Sequence, residues 1–135
     1  MIIPIRTIEA GENLGALSFF ETGQDIDFEI KRIYYITQVS KGIERGFHAH
    51  KNLKQVLFCP HGKIEILLDD GEKVERVLLD DPSKALVIYP TIWRTMTWKT
   101  DDAVLCVCAS EIYDECDYIR DYNEFKKYIN IKEKR

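Results

Sequence analysis

The sequence predicts an all-β sandwich or barrel finished by one C-terminal helix. Three observations carry that expectation. Short segments rich in Ile, Val, Leu, Tyr and Phe recur along the chain, with turn-forming residues between them. Asp70-Gly71 stands between two of these segments as a two-residue hairpin signal. Apolar side chains at helical spacing occur only near the C-terminus.

Strands are expected over residues 17–20, 28–37, 55–59, 63–69, 72–79, 86–89, 93–98 and 103–109, and residues 45–51 are read as extended. Asp80-Asp81-Pro82-Ser83, Tyr89-Pro90-Thr91 and Lys99-Thr100-Asp101-Asp102 mark turns between them. Many short strands at this spacing suit a sandwich or barrel. Tyr122, Phe125, Tyr128 and Ile129 then fall on one helical stripe. Asp121 can cap that helix, with Glu124 completing a capping box. The tail Lys132-Glu133-Lys134-Arg135 is expected to fray. No internal repeat, linker or low-complexity segment interrupts residues 1–135, which are read as a single domain.

At 135 residues the chain is long enough to bury a core without metal or disulfide staples. A hydrophobic share of 45% beside 31% charged residues is that of a globular protein. The net charge of −4 gives no support for nucleic-acid or membrane-surface binding, yet leaves room for a small anionic ligand held by a local Arg/Lys cluster. The N-terminal residues lack the basic and apolar regions of a signal peptide, and no apolar run approaches the ~20 residues of a membrane-spanning helix. A cytoplasmic location is expected. Cys106 and Cys108, on one face of an apolar strand, read as buried, reduced thiols and not as a redox or zinc motif.

Arg45-Gly46-Phe47-His48-Ala49-His50-Lys51 carries the chemistry. Side chains alternate along a strand, so His48 and His50 share a face and are expected in one pocket. Such a pair serves a metal or a proton transfer. With Gln55 and Gly62 it resembles the first motif of the cupin superfamily, where Glu normally stands at the place of Gln55. The last cupin ligand would fall at Arg94 or Thr95. A neutral amide is a weak ligand, and a guanidinium repels a divalent ion. His61 precedes Gly62 at a turn and cannot readily complete the set. No metal and no other cofactor is therefore expected, and the imidazoles are left to carry protons. A His titrates near pH ~6.5, and a neighbouring cation should keep at least one of the two neutral and basic. Two structural histidines bonded to backbone are the alternative; their shared face and the flanking Arg45 and Lys51 favour function.

Longer segments are similar to the nucleotide-linked 4-keto-6-deoxy-sugar 3,4-ketoisomerases, a metal-free branch of cupins. The matching stretches are residues 28–36, 45–51, Trp93-Arg94-Thr95-Met96, and 109–122 with its Tyr113-Asp114-Glu115-Cys116-Asp117-Tyr118-Ile119-Arg120 core. The resemblance implies a cupin jelly roll (a double-stranded β-helix or sandwich) in a homodimer whose N-terminal strands cross to the partner. It implies that dTDP-4-keto-6-deoxyglucose is converted to its 3-keto isomer ahead of an amination, in the making of deoxyamino sugars for surface glycans. It also makes Tyr113, Asp114, Tyr118 and Arg120 family residues of a closing segment, structural or dimeric in role.

Moving a ketone from C4 to C3 requires taking the C3 proton, passing through an enediol and reprotonating C4, which imidazoles can do without metal. His48 is assigned as principal base and His50 as the partner that positions substrate or relays protons, although the sequence leaves the two roles interchangeable. Tyr35 is the candidate hydroxyl donor; Tyr34 faces the other way, so one of the two belongs to the core. Arg32, Arg45 and then Lys51 are the candidates for the pyrophosphate. Gln55 and Arg94 are placed with the substrate-binding residues, and Trp93 either stacks on thymine or sugar or packs in the core. In the family Arg after Trp93 accompanies the gluco product, so Arg94 leans that way, whereas Leu14 before Gly15 matches neither pattern. Rival readings are a nucleotide-sugar epimerase, which needs a His–Asp base and a Tyr acid, and a non-enzymatic sugar-nucleotide-binding cupin.

Overall fold

Alternation along each strand decides which residues meet between two sheets. A computed structural model describes residues 1–133. Its strands are β1 (Ile2–Pro4), β2 (Arg6–Glu9), β3 (Ala16–Phe19), β4 (Arg32–Ile36), β5 (Glu44–His50), β6 (Gln55–His61), β7 (Ile64–Asp69), β8 (Val74–Leu79), β9 (Lys84–Ile88), β10 (Trp93–Trp98), β11 (Val104–Ala109) and β12 (Tyr118–Ile119), followed by helix α1 (Tyr122–Glu133). They form two facing five-stranded antiparallel sheets, β1-β9-β6-β11-β4 and β12-β5-β10-β7-β8, the sandwich that the strand pattern predicts and the jelly roll that the family resemblance implies. Hairpin β2–β3 pairs only within itself.

Leu57 and Cys59 of β6, Leu86 and Ile88 of β9, and Leu105 and Val107 of β11 point inward from the first sheet. They meet Ile64 and Ile66 of β7 and Met96 and Trp98 of β10 from the second. Burying each such side chain contributes about 1.5–3 kcal/mol. The alternate residues Val56, Ala85, Val87 and Cys108 face outward, where Ile5, Ile26 and Phe28 cover them. Strand 28–37 was expected to begin earlier than it does. Its first four residues leave the ladder, and Phe28 is spent on that outer layer.

On the outer face of the second sheet, Phe125 and Ile129 of α1 lie on Ala49, Trp93 and Ile119. Asp121 caps α1 by accepting from the Glu124 amide at 3.0 Å, as its sequence suggests. Lys132 and Glu133 continue the helix instead of fraying, and Lys134 and Arg135 lie outside the described residues. The hairpin at Asp70-Gly71 forms, but its loop spans residues 70–73, because the Asp70 carboxylate accepts from both the Glu72 and Lys73 amides at 2.8 Å. All four cysteines are free, with Cys108 buried, Cys106 half-buried and Cys116 exposed. Among the described residues no helix is long and apolar enough to cross a membrane.

Candidate active site

A bulge aims the site. Strand β5 pairs with β10 as Arg45↔Met96 and Gly46↔Thr95, then His48↔Arg94, so Phe47 is an extra residue without a partner. Strict alternation puts Arg45 and His48 on opposite faces; the bulge brings both inward. Gly46 and Phe47 adopt φ of 96° and 57° to make it. Gly46 is required twice over, since a Cβ there would sit 2.9 Å from Met96 Cε and 3.0 Å from the Arg94 carbonyl oxygen.

The His48 and His50 rings lie edge to face with centroids 4.9 Å apart, and Tyr118 packs on both, at 5.2 and 4.4 Å. They are neighbours, yet they line two adjoining cavities and not one. His48, with Arg45, Tyr34 and Arg120, lines a cavity of about 320 Å³. His50, with Asp117, Asp114 and Asn52, lines another of about 270 Å³. Arg32 and Tyr118 belong to both and form the wall between them. His50 Nδ1 is 2.9 Å from Asp117 Oδ2, and the other Asp117 oxygen accepts from the Asn52 amide at 2.7 Å.

Arg94, paired with His48 across β5 and β10, is buried behind the site and lines neither cavity. Its side chain, in a residue only 2% exposed, donates to the Ile92 carbonyl at 3.0 and 3.2 Å and to Gln55 Oε1. Gln55 Nε2 in turn donates to the Tyr34 hydroxyl at 3.1 Å. Arg94 forms no ion pair among the described residues, and burial lowers its pKa to about 10, so it stays cationic at neutral pH.

That charge acts on the histidines. Burial foremost, then Arg94, pushes His48 down to about 4, with the Gly46 backbone working the other way. His50 falls to about 2 through burial, then Arg94 and His48. The Asp117 carboxylate at 2.9 Å favours an imidazolium at His50, and the two influences conflict. Burial beside three arginines outweighs one carboxylate, so His50 is neutral and donates Nδ1–H to Asp117. After burial, the cation that does most to keep the imidazoles neutral is thus Arg94, on the neighbouring strand β10, and not the flanking Arg45 or Lys51.

This donor set does not suit a metal. Gln55 Oε1 is taken by a guanidinium and His50 Nδ1 by a carboxylate, and among the described residues no three His, Cys, Asp or Glu side chains cluster.

Tyr35 and Lys51 need correction as site residues, and the open choice for Trp93 falls to packing. Tyr35 is 70% exposed on the outer face of β4, and it is Tyr34 that reaches the cavity, because Arg32, Tyr34 and Ile36 are the inward residues of that strand. Trp93, 7% exposed, points outward under α1, with its ring 5.3 Å from Tyr122 and 5.7 Å from Phe125; its neighbour Arg94 takes the inward place. Lys51 turns toward the helix, its ammonium 5.9 Å from the Tyr128 ring, and lines neither histidine cavity. Arg32 lies between the rings of Tyr34 and Tyr113, at 5.4 and 5.6 Å, and its Nε is buried without a hydrogen-bond partner among the described residues. Arg120 forks onto Glu115, which also accepts from Tyr113; these bonds hold Glu115 down to about 2 and raise Arg120. Asp117 escaped the sequence reading as a functional residue, although it stands within the Tyr-Asp-Glu-x-Asp-Tyr stretch.

The family model described as "FdtA: WxcM-like, C-terminal" matches residues 1–130. The chain belongs to the FdtA family. A TDP-4-oxo-6-deoxy-alpha-D-glucose-3,4-oxoisomerase of Aneurinibacillus thermoaerophilus is 45% identical over 118 residues, which is 87% of this chain and 85% of the relative. Among solved FdtA-like structures, the sugar 3,4-ketoisomerase QdtA of Thermoanaerobacterium thermosaccharolyticum, in complex with TDP, superposes with a TM-score of 0.91 at 42% identity, covering 98% of this chain and 95% of that one. A His-to-Asn mutant of QdtA has been solved with TDP-4-keto-6-deoxyglucose. The TDP-quinovose 3,4-ketoisomerase WlaRB of Campylobacter jejuni gives a TM-score of 0.87 at 41% identity, over 94% of this chain and 96% of that one. This member of the FdtA family is an isomerase.

Proposed function

We propose that the chain moves the ketone of dTDP-4-keto-6-deoxy-D-glucose from C4 to C3, by imidazole-mediated proton transfer through an enediol. One observation carries the reading: the buried His50 ring and the half-buried His48 ring, both held below the ordinary imidazole range, stand beside a buried guanidinium that has no counter-ion among the described residues. The neutral imidazoles can accept a proton, and the fixed cation lowers the energy of the enediolate that its removal creates. His48, in the larger cavity, takes the part of principal base, and His50 that of its partner. Arg32 and Arg45 line that cavity and suit a pyrophosphate, with Arg120 beside them. Gln55 and Tyr34 place hydrogen-bonding groups next to Arg94 for the sugar.

Arg94 directly after Trp93 supports the gluco configuration at C4 of the product. The exposed apolar residues Ile8, Leu14 and Leu17 of the β2–β3 hairpin support a homodimer in which the N-terminal strands reach a second copy. The reaction is assigned to the cytoplasm, as a step toward an amino-deoxy sugar for a surface glycan.

Incubation with dTDP-4-keto-6-deoxyglucose in D2O, followed by NMR, tests this. A 3-keto sugar with deuterium at C4 is the expected outcome. The His50–Asp117 pair favours a second reading, an epimerase, which would instead place deuterium at C5 with inversion there. His48→Asn should slow turnover by ~10²–10⁴-fold with dTDP affinity retained; near-normal turnover removes His48 from its role.

A further inference from the structure

Two proton movements are needed to walk a ketone from C4 to C3. The C3–H and O3–H bonds break while C4–H and O4–H bonds form, so C3 is oxidised and C4 reduced with no outside electron acceptor. A site that does this well holds two proton-accepting groups, and the second must be kept in the right tautomer. We propose that Asp117 is the positioning residue of His50: it fixes the proton on Nδ1 and leaves Nε2 as an acceptor beside His48. This rests on the isomerase reading above.

Four observations carry it. His50 Nδ1 lies 2.9 Å from Asp117 Oδ2, in a side chain only 1% exposed. His50 Nε2 is buried and has no hydrogen-bond partner among the described residues, so its lone pair is left unclaimed by them. The carboxylate cannot swing away, because Oδ1 accepts from the Asn52 amide at 2.7 Å and the Asp117 carbonyl accepts from the Lys51 amide at 2.9 Å. Finally, β12 starts at the next residue and pairs Tyr118 with His50, which fixes the register between the two segments. A carboxylate accepts only, so the nitrogen facing it must carry the hydrogen.

The Asn52 amide makes the test directional. In Asp117→Asn the amide oxygen is required by the Asn52 N–H, so the new NH2 faces His50 Nδ1. Two donors cannot face each other. His50 is then driven to the Nε2–H tautomer and changes from acceptor to donor in the site. Long-range ¹H–¹⁵N spectra of labelled protein read this directly, with His48→Asn and His61→Asn separating the three histidine signals.

The expected result is Nδ1–H at His50 in the wild type and Nε2–H in Asp117→Asn, with turnover reduced ~10²–10⁴-fold and dTDP affinity within about twofold. An Nε2–H or imidazolium form in the wild type overturns the proposal, and needs no variant to fold. Tautomer reversal with full turnover overturns it as well. Asp117→Ala, which removes the acceptor without supplying a donor, should lose less turnover than Asp117→Asn; equal losses would mark Asp117 as merely structural. Failure of the wild type to isomerise the dTDP sugar would instead sink the isomerase reading, and the spectra would still decide the tautomer.

Discussion

Acidification should unfold this protein earlier than its carboxylates alone would, and the histidine pair supplies the reason. Both imidazoles are depressed in the folded state, His48 to about 4 and His50 to about 2, against an ordinary value of ~6.5 in the unfolded chain. The unfolded state therefore binds protons that the folded state refuses. Stability is complete above pH ~6.5 and falls as pH drops toward the folded values. At pH 5 protonation stabilises each unfolded imidazole by about 2 kcal/mol, and at pH 7 by about 0.2 kcal/mol. The pair thus contributes a loss of about 4 kcal/mol between pH 7 and pH 5, provided that both folded values lie below 5. The carboxylates that the fold shifts, Asp25, Asp70, Asp80, Asp81 and Glu115, are all lowered, so their losses begin below about pH 4.5 and stay out of this window. Urea unfolding at the two pH values measures the difference, and His48→Asn or His50→Asn should each remove about half of it. A total loss under about 1 kcal/mol would refute the reasoning. If His50→Asn alone left the pH dependence unchanged, the Asp117 carboxylate would have prevailed over burial and Arg94.

The bulge and the tyrosine pair give two more tests. Gly46→Ala forces a Cβ into Met96 and the Arg94 carbonyl at positive φ, and should cost about 2–4 kcal/mol. That corresponds to a melting temperature lower by roughly 6–15 °C, with turnover falling as His48 and Arg45 lose alignment; a change under about 2 °C would mean that the bulge is not under this constraint. Tyr34→Phe strips the acceptor from Gln55 Nε2, costing about 1–2 kcal/mol and lowering turnover, whereas Tyr35→Phe on the exposed outer face should change stability by less than about 0.5 kcal/mol and leave turnover alone. The opposite ranking, read by denaturation and kinetics, would restore Tyr35 to the site.

What the sequence made legible follows from the range of the interactions. Alternation and turn chemistry are local, and they located most strands, the helix and its Asp121 cap. The short strands β1, β2 and β12 were missed because their pairing partners are distant in sequence or, for the hairpin, because few of its residues are buried. The same limit governs the site. His48 and His50 were found because period 2 is a local rule, while the inward turn of Arg45 depends on a bulge that alternation cannot anticipate. Asp117 lies 67 positions from His50 and meets it only through the β12–β5 pairing. Tyr34 and Trp93 show the remaining ambiguity: in each adjacent pair one residue had to face inward, and only the neighbouring layer decides which. Helix α1 covers the outer face of β10 and absorbs Trp93, whereas the outer face of β4 is uncovered and leaves Tyr35 exposed while Tyr34 reaches the cavity.

The electrostatics explain why the metal-like motif can work in acid–base chemistry. A cupin metal site joins a dication to neutral imidazoles and an anionic carboxylate. Here the Glu position holds the neutral Gln55, and the region of the last ligand holds the cation Arg94, hydrogen-bonded to it. One positive charge remains at the centre, but it is now fixed to the backbone of β10 and buried without an anion among the described residues. Burial does most to keep both histidines neutral, and a desolvated cation in that position adds to it by destabilising any second positive charge. The same field favours a negative charge appearing nearby. In the isomerisation proposed above, proton removal from a sugar carbon produces such a charge and transiently an imidazolium, so the cation would oppose protonation of the base while stabilising the enediolate formed with it. The balance favours reaction only where the developing oxyanion lies closer to Arg94 than the protonated ring does. A neutral Gln55 preserves that bias, since a Glu in its place would neutralise Arg94 and raise both histidines.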